Sequence, residues 1–287
     1  MGTEKLRIAV QKSGRLSEKS LSLLEECGIT VPNGSQKLLA AASNFPLEVL
    51  FLRDDDIPQY VHDGVADAGI LGENVVLEKQ KPIQTVEALG FAHCRLCLAI
   101  RREEKYTDPS WFNGKKIATS YPEILGTYLR QNNISAEIEE ISGSVEIAPG
   151  IGLAEAIFDI VSSGSTLLSN GLVEVETVLK SQAVLVAHPG ISPSKQALLD
   201  KLLFRIRAVK NARKNKYILL NAPNDALDEI CRVLPGIKSP TILPLAMEGW
   251  SSLHSVVHED EFWEIIGKLK AAGAEGIVVC PIEKMIL

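Results

Sequence analysis

The chain contains the stretch Ala156-Ile-Phe-Asp-Ile-Val-Ser-Ser-Gly-Ser-Thr166, in which an apolar run gives way to small polar residues. The run 156–161, interrupted only by Asp159, predicts a buried strand. The residues after it supply hydroxyls and unhindered backbone N–H groups at the end of that strand, which suits a phosphate group, and Asp159 suits the hydroxyls of a sugar. A Ser/Gly segment is as typical of a simple turn, and composition alone leaves the two interpretations level.

The five residues that lead into this predicted strand resemble a segment that occurs earlier in the chain. Gly64-Val-Ala-Asp-Ala68 and Gly152-Leu-Ala-Glu-Ala156 share the order glycine, aliphatic, Ala, acid, Ala. Each copy leads into an apolar run and then a loop, which in the first copy is Leu71-Gly-Glu-Asn74. The echo predicts two similar α/β lobes that face each other across a cleft, although so short a match can also arise by chance.

Two cations flank a glycine in the first predicted loop. Lys12 and Arg15 lie on either side of Gly14, between a predicted strand at 6–10 and a predicted helix at 16–27. Loops that follow strands lie at the edge of an α/β sheet where ligands bind. Solvated surface cations are the common alternative. The position in the loop favours a polyphosphate site.

Other candidate sites are weaker. The predicted strand 47–52 ends at Arg53, and Asp54-Asp55-Asp56 follows. The three acids suit a metal site, but helix capping by at least one of them is the stronger interpretation. Tyr121 ends another predicted strand, where its ring suits either a base or simple packing. The dinucleotide-binding glycine pattern fails because Glu155 occupies its last position, and no P-loop motif occurs.

The last part of the chain has its own order. From residue 217 it predicts strand, helix, two strands, helix and strand, which is the ferredoxin-like pattern. It carries no reactive constellation, which favours a regulatory or assembling role. The predicted helix 194–216 before it holds six basic residues in its tail, and we expect a charged linker helix there rather than a nucleic-acid contact.

Composition bounds the class of protein. The chain has 287 residues, 46% apolar and 23% charged, which is typical of a globular protein of two or three domains. The net charge of −6 argues against a general nucleic-acid binder. No apolar run predicts a membrane span and no signal peptide is indicated, so we expect a cytoplasmic protein. The pair Cys94 and Cys97 is expected in the core, with a redox role as the minor alternative.

Together these features resemble one family, ATP phosphoribosyltransferase in its long form, the first enzyme of histidine biosynthesis. The resemblance covers nearly the whole chain and is carried by the following motifs: Gln11-Lys-Ser-Gly-Arg-Leu16, Arg53-Asp-Asp-Asp-Ile-Pro58, Gly69-Ile-Leu-Gly-Glu-Asn74, Ala118-Thr-Ser-Tyr-Pro122, Gly143-Ser-Val-Glu-Ile-Ala-Pro149, Asp159-Ile-Val-Ser-Ser-Gly-Ser-Thr166 and Pro281-Ile-Glu-Lys-Met285. It departs from the family in reading Ser163-Gly-Ser-Thr166 where Thr-Gly-Ala-Thr is frequent, and the hydrogen-bond donors survive that change.

The resemblance implies a fold. It predicts an α/β protein with a two-lobe catalytic unit like the periplasmic binding proteins and a C-terminal ferredoxin-like (ACT-like) regulatory domain that binds histidine. Lobe I would be residues 1–100, completed by about 180–210; lobe II would be 101–179; the regulatory domain would be 215–287.

The resemblance also implies an activity, in which the phosphoribosyl group of phosphoribosyl pyrophosphate moves to N1 of ATP. Mg²⁺ would be held mainly by substrate, histidine would inhibit, and the chain would form a homo-oligomer, a dimer or hexamer. The implied residues are Lys12, Arg15 and Glu146 for catalysis; Asp159, Ser162, Ser163, Gly164, Ser165 and Thr166 for phosphoribosyl pyrophosphate; Arg53, Glu73 and Tyr121 for ATP; and Asp225 and Thr241 for histidine. A non-catalytic two-lobe binder and a transcriptional effector-binding protein are the rival classes.

Overall fold

A computed structural model of the protein describes residues 4–32, 38–234 and 236–287. The chain divides into two units, 1–200 and 201–287, and the described residues form two sheets in the first unit and one in the second. No helix of these residues is both long and apolar enough to cross a membrane.

The elements of the first unit alternate between strands and helices. They are β1 (Leu6–Gln11), α1 (Arg15–Glu26), β2 (Leu39–Ala41), β3 (Leu47–Leu52), α2 (Ile57–His62), β4 (Ala68–Gly72), α3 (Glu73–Lys79), β5 (Gln84–Ala88), β6 (Cys94–Arg101), β7 (Lys116–Thr119), α4 (Pro122–Gln131), β8 (Glu137–Glu140), β9 (Ala156–Val161), α5 (Ser165–Ser169), β10 (Leu172–Ser181), β11 (Ala183–Ala187) and α6 (Pro193–Arg213), which continues into the second unit. The strand predicted at 156–161 is confirmed at both ends.

The two sheets share one topology. The first has the order β2-β3-β1-β4-β11-β5 and the second β10-β6-β9-β7-β8. In each sheet, three strands lie parallel in the order second, first, third, and an antiparallel strand follows the third. The antiparallel strands β11 and β6 lie outside the chain segment that supplies the parallel strands of their own sheet. The chain therefore crosses between the sheets twice, and the predicted pair of similar α/β lobes is confirmed.

The sequence echo has a physical cause in this topology. Its two copies lead into β4 and β9, the third parallel strands of the two sheets. Asp67 accepts a hydrogen bond from the N–H of Arg7 at 2.8 Å, and its own N–H donates to the Arg7 carbonyl. Glu155 makes the same two bonds with Lys116, at 2.8 and 3.0 Å. In each lobe the acid fastens the third strand to the start of the first.

The cysteine pair on β6 is divided between two environments. Cys97 is buried against the apolar side chains of β9 and Leu172, which confirms its predicted place in the core. Cys94 is only half-buried, so the core prediction was wrong for that residue. The Cys94 side chain has a hydrogen bond with that of Ser181, at the end of β10. Burial raises the pKa of the Cys97 thiol to about 12, so it is a protonated packing residue at neutral pH.

The second unit confirms the ferredoxin-like pattern. It contains β12 (Asn215–Pro223), α7 (Leu227–Val233), β13 (Thr241–Pro244), β14 (Trp250–His258), α8 (Phe262–Ala271) and β15 (Glu275–Pro281). Its four strands are antiparallel in the order β13-β14-β12-β15, and residues of α7 and α8 pack into one core with β12 and β14. The helix predicted to 216 ends at Arg213, because pairing with β14 begins at Asn215.

Candidate functional site

The loop after β9 lies between a buried strand and a short helix. Ser162, Ser163 and Gly164 follow the strand, and α5 begins at Ser165. Gly164 has a φ of 80°, a left-handed conformation that favours glycine. A Cβ atom there would meet only Val161, at 3.9 Å, so backbone conformation rather than crowding calls for glycine. The loop therefore turns sharply while the space around it stays open.

The donors of this loop are available to a ligand. Ser162, Ser163, Ser165 and Thr166 are all exposed. The hydroxyls of Ser163 and Ser165 lie 3.0 Å apart and bond to each other. The first N–H groups of a helix have no partner inside it, which leaves that of Thr166 able to donate to an anion. The loop therefore has exposed hydroxyls and an N–H that can donate, which a phosphate site requires.

Asp159 lies at the end of the strand below the loop. The pKa of its carboxyl is raised to about 6, chiefly by burial. The N–H of Ile160, which donates to Asp159 at 2.7 Å, lowers this pKa, and the negative charge of Glu146 raises it. Glu146 comes from a short 3₁₀ turn between β8 and β9 and is half-buried. The carboxyl group of Glu146 is therefore near enough to Asp159 to act on its charge, and both groups can accept hydrogen bonds from hydroxyls.

The cations of the first lobe lie at the ends of neighbouring strands. The N–H of Lys12 donates to the carbonyl of Leu52 at 2.7 Å, which fastens the loop before α1 to the end of β3, just before Arg53. Lys12, Arg15 and Arg53 are exposed, and no carboxylate of the described residues forms an ion pair with them. Uncompensated cations on one sheet edge are suited to an anionic ligand.

A cavity of about 870 Å³ lies along α1 in the same lobe. Lys12, Ser13 and Gly14 line it together with residues of the helix, and Phe51 of β3 contributes to its wall. Its polar lining thus includes the loop that holds the two predicted catalytic cations. The cavity is large enough for part of a nucleotide-sized ligand.

The triple Asp does not cap a helix, so that prediction was wrong. Neither the 3₁₀ turn Asp54–Asp56 nor α2 has a side-chain cap hydrogen bond. Asp56, directly before α2, has φ −88° and ψ −24°, so its backbone is already helical, whereas a capping residue needs an extended backbone. Burial, and then the charge of Asp55, raise the pKa of Asp54 to about 6.

The three acids also form no cluster suited to a metal. No group of three His, Cys, Asp or Glu residues converges in this way among residues 4–32, 38–234 and 236–287. One oxygen of Asp54, Oδ1, is buried and has no hydrogen-bond partner in the part of the chain that the structure describes.

Tyr121 is affected by acidic groups of both lobes. Burial raises the pKa of its phenol, and the negative charges of Asp159 in lobe II and Asp54 in lobe I raise it further. Its hydroxyl accepts a hydrogen bond from Asn74 of α3 at 3.4 Å, and the Asn74 side-chain oxygen accepts one from Ser181 at 2.9 Å. The structure thus brings Tyr121 close to Asp159, two residues that the sequence had assigned to different substrates.

A second contact joins the lobes beside Tyr121. The buried carboxylate of Glu78 accepts hydrogen bonds from the N–H groups of Glu123 and Ile124 at 3.0 and 3.1 Å, at the start of α4. Glu73 begins the same helix α3, and its N–H donates to the carbonyl of Gln182 at 2.9 Å. Sequence reasoning missed Glu78, because no local pattern reveals a partner on another lobe.

The histidine candidates lie on separate elements of the second unit. Asp225 is exposed in a 3₁₀ turn before α7, and Thr241 is exposed at the start of β13. Thr241 pairs with His254, whose ring bonds the Tyr217 hydroxyl at 2.6 Å. Among the residues that the structure describes, no hydrogen bond joins Asp225 to Thr241.

Comparison with known proteins gives consistent matches over nearly the whole chain. The family described as ATP phosphoribosyltransferase matches residues 53–208, and the family described as the HisG C-terminal domain matches residues 212–284. The ATP phosphoribosyltransferase of Cytophaga hutchinsonii is 62% identical over 98% of both chains, and that of Bacteroides fragilis is 59% identical over 98% of this chain and 100% of its own. Among solved structures, an ATP phosphoribosyl transferase (HisG:HisZ) complex from Thermotoga maritima is 28% identical, with a TM-score of 0.60 over 70% of this chain and 98% of that chain.

Proposed function

The chain belongs to the ATP phosphoribosyltransferase family, and we propose from this premise how its residues divide the work. The enzyme transfers the phosphoribosyl group of phosphoribosyl pyrophosphate to N1 of ATP and releases pyrophosphate, the first step of histidine biosynthesis. The observation that carries our assignment is the loop 162–166, whose exposed donors follow the strand that carries Asp159. The loop holds the 5′-phosphate, and Asp159 with Glu146 holds the ribose hydroxyls.

The reaction places its main burden on alignment and on the leaving group. The lone pair of adenine N1 forms a bond to the ribose C1 as the bond from C1 to the pyrophosphate oxygen breaks. Neutral adenine N1 is already a nucleophile, so no strong base is needed. Negative charge grows on the departing pyrophosphate, where fixed cations stabilise it most effectively. Lys12 and Arg15 supply that charge, which fits their exposure and their lack of a carboxylate partner in the described residues.

The nucleotide lies against the boundary between the lobes. Tyr121 packs on the adenine ring, and its hydrogen bond with Asn74 of the other lobe supports a place at that boundary. Arg53 binds ATP phosphates from the edge of the first sheet, and Glu73 binds from the start of α3. Both substrates then meet beside Asp159, where N1 and C1 must come into contact.

A Mg²⁺ ion fits this site as part of the substrate rather than of the protein. Mg²⁺ takes oxygen ligands and keeps several waters. The donors of the loop 162–166 are neutral hydroxyls and N–H groups that suit phosphate oxygens, so pyrophosphate oxygens and water would be its ligands. Bound there, the ion would supply Lewis-acid stabilisation of the leaving group.

Regulation and assembly belong to the second unit. It binds histidine as a feedback inhibitor, with Asp225 and Thr241 as candidate contacts, and it joins copies of the chain into a dimer or hexamer. Its edge strands support the second role: Ile242 and Leu243 on β13 and Val278 and Val279 on β15 are exposed. Exposed aliphatic edge strands favour pairing with another chain. We expect the enzyme in the cytoplasm.

A single absorbance assay distinguishes these assignments from the alternative of a non-catalytic binding protein. The protein is mixed with ATP, phosphoribosyl pyrophosphate and Mg²⁺, and the ultraviolet change of N1-substituted adenine is followed. We expect turnover that needs both substrates and that falls when histidine is added. A protein that binds ATP but gives no absorbance change would contradict the catalytic assignment. Turnover that histidine leaves unchanged would contradict the regulatory one.

A further inference from the structure

Arg95 reaches the phosphate loop from the neighbouring strand. It lies on β6 opposite Val161, the last residue of β9, and its Nη1 donates to the carbonyl oxygen of Ser162 at 3.2 Å. Ser162 is the first residue of the loop. This contact links a side chain of the neighbouring strand to the loop's own backbone, and none of the sequence patterns indicated it.

The guanidinium of Arg95 is held in place from the other side. Its Nε donates to both oxygens of Glu174 at 3.0 Å, and its Nη2 donates to Glu174 at 2.7 Å. A two-point pair of this kind fixes the plane of the guanidinium as well as its position. The Arg95 contact holds the pKa of Glu174 down at about 2, so the pair stays ionised over the whole range in which an enzyme works.

Glu174 is itself aimed by an irregularity in β10. The pairing of β10 with β6 shifts register between Glu174 and Glu176 and again between Thr177 and Leu179. Residues three apart on a regular strand point to opposite faces, whereas a bulge turns a side chain toward a new direction. Here Thr177 donates to Glu174 at 2.8 Å, so both lie on one face. The result is a chain of contacts from Thr177 through Glu174 and Arg95 to Ser162.

The direction of the Ser162 carbonyl determines the direction of the next N–H. In a trans peptide the C=O and N–H groups point in opposite directions. The Ser162 carbonyl points toward Arg95, so the N–H of Ser163 points away from β6, and none of the described residues accepts a hydrogen bond from it. An N–H fixed in this way is preorganised for an anion and needs no rearrangement when the anion binds.

We propose that Arg95, fixed by Glu174, is a positioning residue that holds the Ser162 peptide so that the Ser163 N–H is presented to the 5′-phosphate of phosphoribosyl pyrophosphate. This inference rests on the proposed function of the loop 162–166. Arg95 acts through the backbone and not by direct contact with the phosphate, since Glu174 already neutralises its charge.

The chain offers a matched control for the test. Arg7, on β1 of the other lobe, also donates through Nε and Nη2 to a glutamate, Glu48, and through Nη1 to a backbone carbonyl, that of Val65 at 3.2 Å. The two arginines are similarly exposed, with 35% of the Arg95 side chain and 41% of the Arg7 side chain accessible. Arg7→Ala therefore removes the same kinds of contact without touching the phosphate loop.

Steady-state kinetics of the full-length protein, with melting temperatures, test the proposal. Arg95→Ala should raise the KM for phosphoribosyl pyrophosphate about tenfold, in line with the loss of an oriented hydrogen bond. The KM for ATP should stay within about twofold, and the melting temperature should fall no more than in Arg7→Ala. Arg95→Lys keeps the charge, but its ammonium lacks the planar fork that bonds Glu174 through two nitrogens and Ser162 through a third, so its KM should also rise. Equal KM values in Arg95→Ala, Arg95→Lys and Arg7→Ala would overturn the proposal.

Glu174→Gln separates positioning from direct contact. If Arg95 positions the peptide, the loss of its anchor should raise the KM for phosphoribosyl pyrophosphate. If Arg95 instead touches the phosphate, removing the neutralising carboxylate should lower that KM, and the proposal is wrong. Gly164→Val disturbs the loop itself, so this variant tests the proposed function of the loop separately from the role of Arg95. A raised KM in that variant with a normal KM in Arg95→Ala defeats only the role of Arg95, whereas a normal KM in both defeats the cradle.

Discussion

Asp67 and Glu155 occupy the same place in the two lobes. Each lies one residue before the third parallel strand, and each carboxylate accepts a hydrogen bond at 2.8 Å from the N–H of a residue in the first strand. They differ in surroundings. Asp67 is 7% exposed and also pairs with Lys195 at 2.9 Å, whereas Glu155 is exposed. The two equivalent hydrogen bonds should therefore contribute differently to the stability of the protein.

Removal of the two acids should destabilise the protein unequally. Asp67→Ala leaves the partly buried N–H of Arg7 without its acceptor and Lys195 without its partner, and we expect a loss of about 3 kcal/mol in the free energy of unfolding. Glu155→Ala leaves the N–H of Lys116 to bond with water, and the free energy of unfolding should fall by about 1 kcal/mol. Urea denaturation of both variants measures the difference. Equal losses would show that burial of Asp67 adds nothing to the bond.

The loss of Arg15 should slow the chemical step. Its exposed guanidinium supplies charge to the leaving pyrophosphate, so Arg15→Ala should lower kcat about 100-fold, as the removal of one stabilising donor does in other enzymes. The melting temperature should be unchanged because the side chain is exposed. Lys19→Ala, one turn further along the exposed side of α1, is the control and should keep normal turnover. A kcat in Arg15→Ala equal to that of the control would remove Arg15 from the mechanism.

Affinity for phosphoribosyl pyrophosphate should depend on the ionisation of Asp159. Burial raises the pKa of this carboxyl to about 6, so it is charged above that pH and becomes protonated as the pH falls below it. The protonated form loses acceptor capacity for the ribose hydroxyls, and the KM should rise about fivefold between pH 6 and pH 5 for one group that titrates near pH 6.

Asp159→Asn provides the control for that profile. Phosphate groups also titrate near pH 6, so part of the pH dependence belongs to the substrate. The variant should have a raised KM at pH 8 and a flatter profile that keeps only the substrate's share. An unaltered profile in Asp159→Asn would assign the whole pH dependence to the substrate.

Sequence patterns predicted the strands and the two lobes because these features depend on short segments of the chain. The apolar run before the Ser/Gly loop predicted β9 to the residue, and the glycine–acid echo predicted two lobes because each acid bonds within its own lobe. The triple Asp misled us since capping depends on the backbone angle of Asp56, which residue type does not fix.

The contacts that assemble the site could not be predicted in this way. Glu78 bonds the N–H of Glu123 45 positions along the chain, Asn74 reaches Tyr121 over 47, and Arg95 pairs with Glu174 over 79. Each depends on how separate strands and helices pack, and no periodicity in a single sequence records that. Residue types at strand ends therefore suggested what binds, while the structure alone revealed what holds the binding groups in place.

The central claim is that the loop 162–166 is the 5′-phosphate site, and calorimetric titration of phosphoribosyl pyrophosphate into Gly164→Val tests it most directly. Gly164 has a φ of 80°, so a β-branched residue there must distort the loop. Gly171, beyond the end of α5, has a φ of 70° and equally open surroundings, so Gly171→Val imposes a similar strain away from the loop. We predict that Gly164→Val binds phosphoribosyl pyrophosphate at least about tenfold more weakly than Gly171→Val. Equal dissociation constants for the two variants would contradict the account.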